Sequence, residues 1–402
     1  MRSFKEEWAD IKAIYESEEF GRECKKMQAV FTSAPVVLYG AGILGVEIGK
    51  ALKFCKTAPI YFCDKNKLGI EENTGLPIIS PGMLSYDPIY QDAHVLISSF
   101  AYDDEIKSDL AKMGIEKNRI LSRGYFFFLF FYFCRYIHAP GADGASENLR
   151  LDYFVSRMAD IYKMFAGEND KSLSGYERTY DLVADMKSKS VLLNLLKIGL
   201  TKRTVTHDLP KCQYFDDELI LPLLNDAEVF VDIGAFTGDT AEIFFDHVKN
   251  KYAHYYAFEP DKENSEKALA LFANKRDVTF EKKGVYSKTT VIGFNGAHTS
   301  SSGISEESGY YIEVVSLDEY FNGKPHVPTF IKMDIEGAEA EALKGCERLI
   351  REHKPKLAVC VYHKPGDIYE LPELIQSFRG GDYKFYLRHY SDSFNETVLY
   401  AV

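Results

Sequence analysis

Carboxylates set among glycines at the ends of apolar runs give the first chemical signal in the chain. Residues 231–240 read Val-Asp-Ile-Gly-Ala-Phe-Thr-Gly-Asp-Thr, and the next apolar run ends on Phe258-Glu259-Pro260-Asp261. A buried parallel strand delivers its C-terminal residues to the ligand crevice of an open α/β sheet, and glycine lets the backbone turn there and approach a ligand closely. Glu259 lies 25 residues beyond Gly234 (259 − 234), about where an acid on a second strand grips two ribose hydroxyls. The loop is not the pyrophosphate-binding G-x-G-x-x-G, and the acid Asp232 precedes its first glycine. Acids suit a cationic ligand better than a diphosphate. S-adenosylmethionine, with a sulfonium and an ammonium against one carboxylate, therefore fits the spacing better than NAD. The expected cofactor contacts are Asp232, Gly234, Ala235, Phe236, Gly238 and Asp239, then Glu259, Pro260 and Asp261, and finally Gly284 and Val285.

Methyl transfer from a sulfonium is an in-line displacement, so an enzyme must align the acceptor, exclude water and deprotonate a hydroxyl. Asp334 and Glu336, in Lys332-Met333-Asp334-Ile335-Glu336-Gly337, follow a fourth apolar run. Strand alternation would send both to one side. His363 follows a fifth run in Val361-Tyr362-His363-Lys364, where an imidazole could serve as general base near neutral pH. Asp334, Glu336 and His363 are the expected catalytic residues. Competing readings are a helix-capping or loop-orienting acid and a structural histidine. Ser300, Ser301 and Ser302 read as a turn before an acceptor contact. A divalent metal bridging Asp334 and Glu336 lacks a full ligand set in the sequence, so none is expected.

The elements needed to position these groups recur twice. Residues 1–34 read as an N-terminal helix. Over 35–123, Pro35 to Tyr39 reads as a strand running into Gly40-Ala41-Gly42-Ile43-Leu44-Gly45, and Ile60 to Cys63 as a second strand ending on Asp64. That is a small Rossmann-like unit, with Gly40, Gly42, Gly45 and Asp64 as a candidate second nucleotide site. Residues 124–227 hold the aromatic run Tyr125 to Phe133, a linker-like stretch and a helical connector. From 228 to 402 the strand–helix alternation resumes and closes on two strands expected as a hairpin. The fold class is α/β, with two Rossmann-like domains.

The segments VDIGAFTGDT, AFEPD, HTSSSGIS, VVSLDEYF, FIKMDIEGAEAEALKG and YHKPGDIYELPELI together resemble the FkbM family of methyltransferases over roughly residues 210–402. The resemblance implies transfer of a methyl group from S-adenosylmethionine to oxygen, commonly a hydroxyl of a sugar or natural product. The first domain is similar to the N-terminal module of bacterial sugar acyltransferases, which implies a nucleotide or nucleotide-sugar; a domain kept for packing is the alternative. Other readings of the whole chain are an NAD-dependent sugar-nucleotide oxidoreductase, disfavoured by the lack of a Tyr-x-x-x-Lys pair, and a ligand-binding scaffold.

Composition bounds the partners. With 48 Lys plus Arg against 60 Asp plus Glu, the net charge of −12 disfavours nucleic acid and anionic membranes. The aromatic run is about half the length of a bilayer-spanning helix, so no membrane span is expected. Seven scattered cysteines without a C-x-x-C pair argue against a disulfide scaffold and for the cytoplasm. The expected partner is a small-molecule or glycan hydroxyl acceptor, and a homo-oligomer is compatible with the aromatic run as a subunit contact.

Overall fold

The computed structural model describes residues 2–54, 59–99, 102–121, 153–201, 212–295, 303–304, 310–379, 381–391 and 394–402. The aromatic run 125–133, the linker at 139–149 and Ser300 to Ser302 lie outside these residues. The chain is α/β and divides into two compact units, 1–170 with 194–206, and 171–193 with 207–402.

In the first unit the leading segment forms two helices, Phe4–Glu16 and Glu18–Ser33, instead of one. Ser17 causes the break: its extended backbone ends the first helix, and its hydroxyl accepts from Phe20 N–H at 3.1 Å to start the second. A six-stranded sheet follows, made of β1 (Val36–Tyr39), β2 (Ile60–Cys63), β3 (Gly69–Ile70), β4 (Pro77–Ile79), β5 (His94–Ile97) and β6 (Ile120–Leu121), in the order β3-β4-β2-β1-β5-β6. Pairing is parallel except between β3 and β4. β1 is buried throughout, as a strand covered on both faces must be.

The second unit holds a seven-stranded sheet. Its strands are β7 (Val229–Ile233), β8 (His254–Phe258), β9 (Val278–Glu281), β14 (Phe330–Met333), β15 (Lys356–Cys360), β16 (Phe385–His389) and β17 (Thr397–Ala401), in the order β16-β17-β15-β14-β7-β8-β9. Six of the seven strands run in one direction, and β17 inserts antiparallel between β15 and β16. The strand order reverses between β7 and β14, the switch point where open α/β sheets take ligands. Aromatic side chains fill the core beneath: Phe230 stacks on Phe330 with ring centroids 4.6 Å apart, and Phe244 and Tyr255 close around them. A four-stranded sheet not anticipated from the sequence, β10 (Gly284–Val285), β11 (Thr290–Asn295), β12 (Gly303–Ile304) and β13 (Tyr311–Val315), lies in the chain between β9 and β14.

Residues 171–193, part of the expected connector, pack within this second unit. The Ser172 and Tyr369 hydroxyls bond at 2.9 Å, Arg178 pairs with Glu373 at 2.7 Å, and buried Arg388 pairs with Asp185 at 2.8 Å.

Candidate active site

β7 is followed by Gly234, whose φ of +78° suits glycine and whose missing Cβ makes room for a neighbour. A Cβ there would lie 1.9 Å from the carbonyl oxygen of Asp334, so the loops after β7 and β14 can touch only through a glycine. Gly234 and Ala235 donate to the Phe258 carbonyl at 3.0 and 3.1 Å. Phe236 N–H then points to Glu259, at the end of β8, and donates to Oε2 at 2.9 Å, while Asp261 N–H donates to Oε1 at 2.9 Å. Burial pushes the Glu259 carboxyl up to about 7, against the pull of those two N–H groups.

These loops border a cavity of about 330 Å³. Of the expected cofactor residues, Gly234, Phe236, Asp239, Glu259 and Pro260 line it, joined by Gly284 and Val285 from the second sheet. Four others do not. Ala235 is fully buried; Gly238 is the left-handed residue before the helix Asp239–His247; Asp261 caps the helix Lys262–Phe272 by accepting from Asn264 N–H at 3.0 Å. Asp232, expected to face the ligand, is also fully buried: it accepts from the Tyr255 hydroxyl at 2.6 Å and lies 3.0 Å from Lys332. The cause is register, which pairs Lys332 directly with Asp232 across β14 and β7. Burial works against charge on Lys332, but Asp232 holds its amine protonated, and its Nζ donates to the Gly234 carbonyl at 2.6 Å. The acid thus acts on the glycine turn through Lys332.

Asp334 and Glu336 also line the cavity, though strand alternation does not put them there. β14 ends at Met333, and the following turn has φ values of +53° at Glu336 and +93° at Gly337. Asp334 Oδ2 accepts from the Tyr214 hydroxyl at 2.6 Å, and the Tyr362 hydroxyl reaches Oδ1 at 3.4 Å. Burial opposes its charge, but Lys332, His363 and Tyr214 hold its carboxyl below the usual range. Glu336 has no hydrogen bond among the described residues, and burial pushes it up to about 7.

His363 stands behind these two acids and is itself buried. Its Nδ1 lies 2.9 Å from Glu339 Oε1, which also accepts from Ile335 N–H at 2.9 Å. Glu339 thereby ties the imidazole to the turn carrying Asp334 and Glu336. Burial disfavours the imidazolium, but Glu339, Asp334 and Glu336 outweigh it and push His363 up to about 10. The imidazole thus stands behind the acids and does not line the cavity, whereas strand-end placement put it beside an acceptor.

Sequence reasoning missed Tyr214 and Glu396, which also lines the cavity, and it missed Lys332, Glu339 and Tyr362 although these three stood inside quoted motifs. A lysine in an otherwise apolar strand opposite an aspartate in another was a legible sign of a buried pair. Tyr214 carried no such sign.

Residues 232–385 match the Methyltransferase FkbM domain family. They form an FkbM methyltransferase domain. Among solved structures, the FkbM methyltransferase of Methylobacillus flagellatus KT is similar over 99% of this chain and 99% of its own, at 22% identity and a TM-score of 0.65. The whole fold thus has a counterpart. Two fibrillarin structures each match over 44% of this chain with TM-scores of 0.29. One is a fibrillarin/Nop5p complex, at 17% identity over 73% of that chain; the other is from Aeropyrum pernix with bound S-adenosyl-L-methionine, at 13% identity over 69%. No curated protein matches the chain. The FkbM domain is that of an S-adenosylmethionine-dependent methyltransferase, and the cavity lies between its first, second and fourth parallel strands, β7, β8 and β14. In the first unit, Asp64 is committed to the backbone: Oδ2 accepts from Ala41 N–H at 3.0 Å and Oδ1 from Asn66 N–H at 2.8 Å. Gly42 is exposed with open space before it, and Gly45 packs so tightly that a Cβ would meet the Gly40 carbonyl oxygen at 2.0 Å. Among the described residues no helix is long and apolar enough to cross a membrane.

Proposed function

We propose that the chain transfers a methyl group from S-adenosylmethionine to a hydroxyl oxygen of a sugar or glycan precursor. The observation that carries this reading is one cavity with Glu259 on its wall and the carboxylates of Asp334 and Glu336 on the same lining. Glu259 keeps both backbone N–H bonds and still has lone pairs for a ribose diol. Asp334, pinned by Tyr214, anchors the acceptor hydroxyl. Glu336, with no hydrogen bond among the described residues, takes its proton as the oxygen attacks the methyl carbon and the carbon–sulfur bond breaks, leaving neutral S-adenosylhomocysteine. Acids flanking a sulfonium favour the bound ground state, so alignment and exclusion of water supply the rest of the rate.

The first unit serves as a nucleotide or nucleotide-sugar site in this reading, on the open approach at Gly42. Among the described residues no cysteine is in a disulfide, which fits a reducing cytoplasm.

The test is labelled methyl donor offered with sugars and nucleotide-sugars. Asp334→Asn and Glu336→Gln are expected to bind S-adenosylmethionine normally and lose about 10²- to 10⁴-fold in turnover. Near-normal turnover in both variants overturns the assignment.

A further inference from the structure

His363 Nε2 is buried and has no hydrogen-bond partner, although it lies 3.4 Å from Asp334 Oδ1 and 3.6 Å from Glu336 Oε2. Those separations are long for an N–H···O bond. A proton on Nε2 would therefore be left without an acceptor at proper distance, and neutral nitrogen would leave a lone pair facing two carboxylates. Two donor atoms bound to one cation at about 2.1 Å sit roughly 3.0 to 3.5 Å apart for right-angle to tetrahedral geometry. The 3.4 Å spacing to Asp334 thus fits shared coordination better than hydrogen bonding.

The surroundings have the form of a metal centre. Donor atoms of Asp334, Glu339 and His363 lie within 4.8 Å of one another. Glu339 takes Nδ1 through Oε1 at 2.9 Å, leaving Nε2 as the free nitrogen. A carboxylate behind a ligating histidine is the usual device that fixes its tautomer and orientation. The second oxygen of Glu339 is also buried and unpartnered. Imidazole with carboxylates suits first-row divalent ions.

We propose that His363 Nε2 and the Asp334 carboxylate hold one divalent first-row cation at the wall of the cavity, with Glu336 and Glu339 as flanking carboxylates. Its role as the seat of the acceptor rests on the methyl-transfer reading above, because Asp334 and Glu336 face the cavity while His363 does not line it. Open coordination positions then point toward the acceptor, and a hydroxyl bound there becomes more acidic. The class of acceptor narrows to a chelating one, such as a vicinal diol.

The test uses the full-length protein, freed of metal by chelator, titrated with Mn²⁺ alone and followed by electron paramagnetic resonance of free Mn²⁺. Saturable one-to-one binding is expected. His363→Ala and Asp334→Asn are expected to abolish it, and Glu339→Gln to weaken it about ten- to a hundredfold. Calorimetric binding of S-adenosylhomocysteine, measured on every variant, reports folding and keeps the two proposals apart. If that ligand binds and Mn²⁺ does not, or if Mn²⁺ affinity survives in variants that still bind the ligand, the metal site is refuted and the methyl-transfer reading stands. If S-adenosylhomocysteine fails to bind wild type while Mn²⁺ binds as expected, the methyl-transfer reading falls and the metal site stands.

Discussion

Replacing Glu259 by glutamine separates the cost of a buried charge from its use. Burial lifts this carboxyl from 4.5 to about 7, which corresponds to about 3 kcal/mol set against the ionised form. The group is 7% exposed, so solvent screening removes little of this. Because the folded state holds the proton more tightly than the unfolded chain, the penalty is absent below about pH 4.5, grows between about 4.5 and 7, and is complete above that. Glu259→Gln removes the penalty but loses good geometry at one of two backbone N–H groups. That loss does not vary with pH, so the stability difference between variant and wild type should shift toward the variant by up to about 3 kcal/mol from pH 5 to pH 8. Ligand binding should run the other way. Adenosine presents a ribose diol and no group that titrates in this range, and the diol needs the ionised acid. Wild type should therefore bind adenosine about tenfold more weakly at pH 6 than at pH 8, releasing nearly one proton per ligand at the lower pH. Glu259→Gln should be flat with pH and, at the higher pH, weaker by roughly ten- to a hundredfold. Denaturant unfolding and calorimetry in buffers of different ionisation heat read both quantities. PH-independent adenosine binding by wild type, or equal affinity in the variant, would refute the ribose role.

Lys332→Met leaves Asp232 buried without its partner and should cost about 3 to 5 kcal/mol by denaturant unfolding, while Lys332→Met with Asp232→Asn should recover part of it; equal losses would deny the coupling. In the first unit, nucleotide-sugars should raise the melting temperature more than NADP, since an acid at Asp64 disfavours a 2′-phosphate; no stabilisation by any nucleotide would favour a packing role.

Much of the fold was legible because buried parallel strands write themselves as short apolar runs ending on turn residues. β7, β8, β14 and β15 each match such a run, and the closing pair β16 and β17 was readable as a hairpin. What escaped was set by shorter or less local signals. β10 and β12 have two residues each, too few for alternation to show. The break at Ser17 rested on one hydroxyl cap inside an otherwise continuous helical pattern.

The site was legible in its parts and illegible in its wiring. Motif and strand-end reasoning found Glu259, Asp334, Glu336 and His363, since each follows an apolar run directly in the chain. It could not find what each side chain faces. His363 looked like a base because nothing local in the chain engages its ring; Glu339, 24 residues earlier on the helix Glu339–Lys344, takes its Nδ1 only after folding. Asp232 looked like a ligand contact because it precedes a glycine, yet register turns it to Lys332 and away from the cavity. In both cases a charged group is spoken for by a partner on another element. The acids that line the cavity and keep acceptor capacity are the ones left for ligands. Glu259 bonds only backbone N–H groups, which spend two of its lone pairs and leave others for a diol; Glu336 spends none. An acid pinned by a buried cation, as Asp232 is, serves the turn instead. Assigning function among the acids of one domain therefore reduces to asking which carboxylate still has acceptor capacity facing the cavity, a question that register and turn geometry answer.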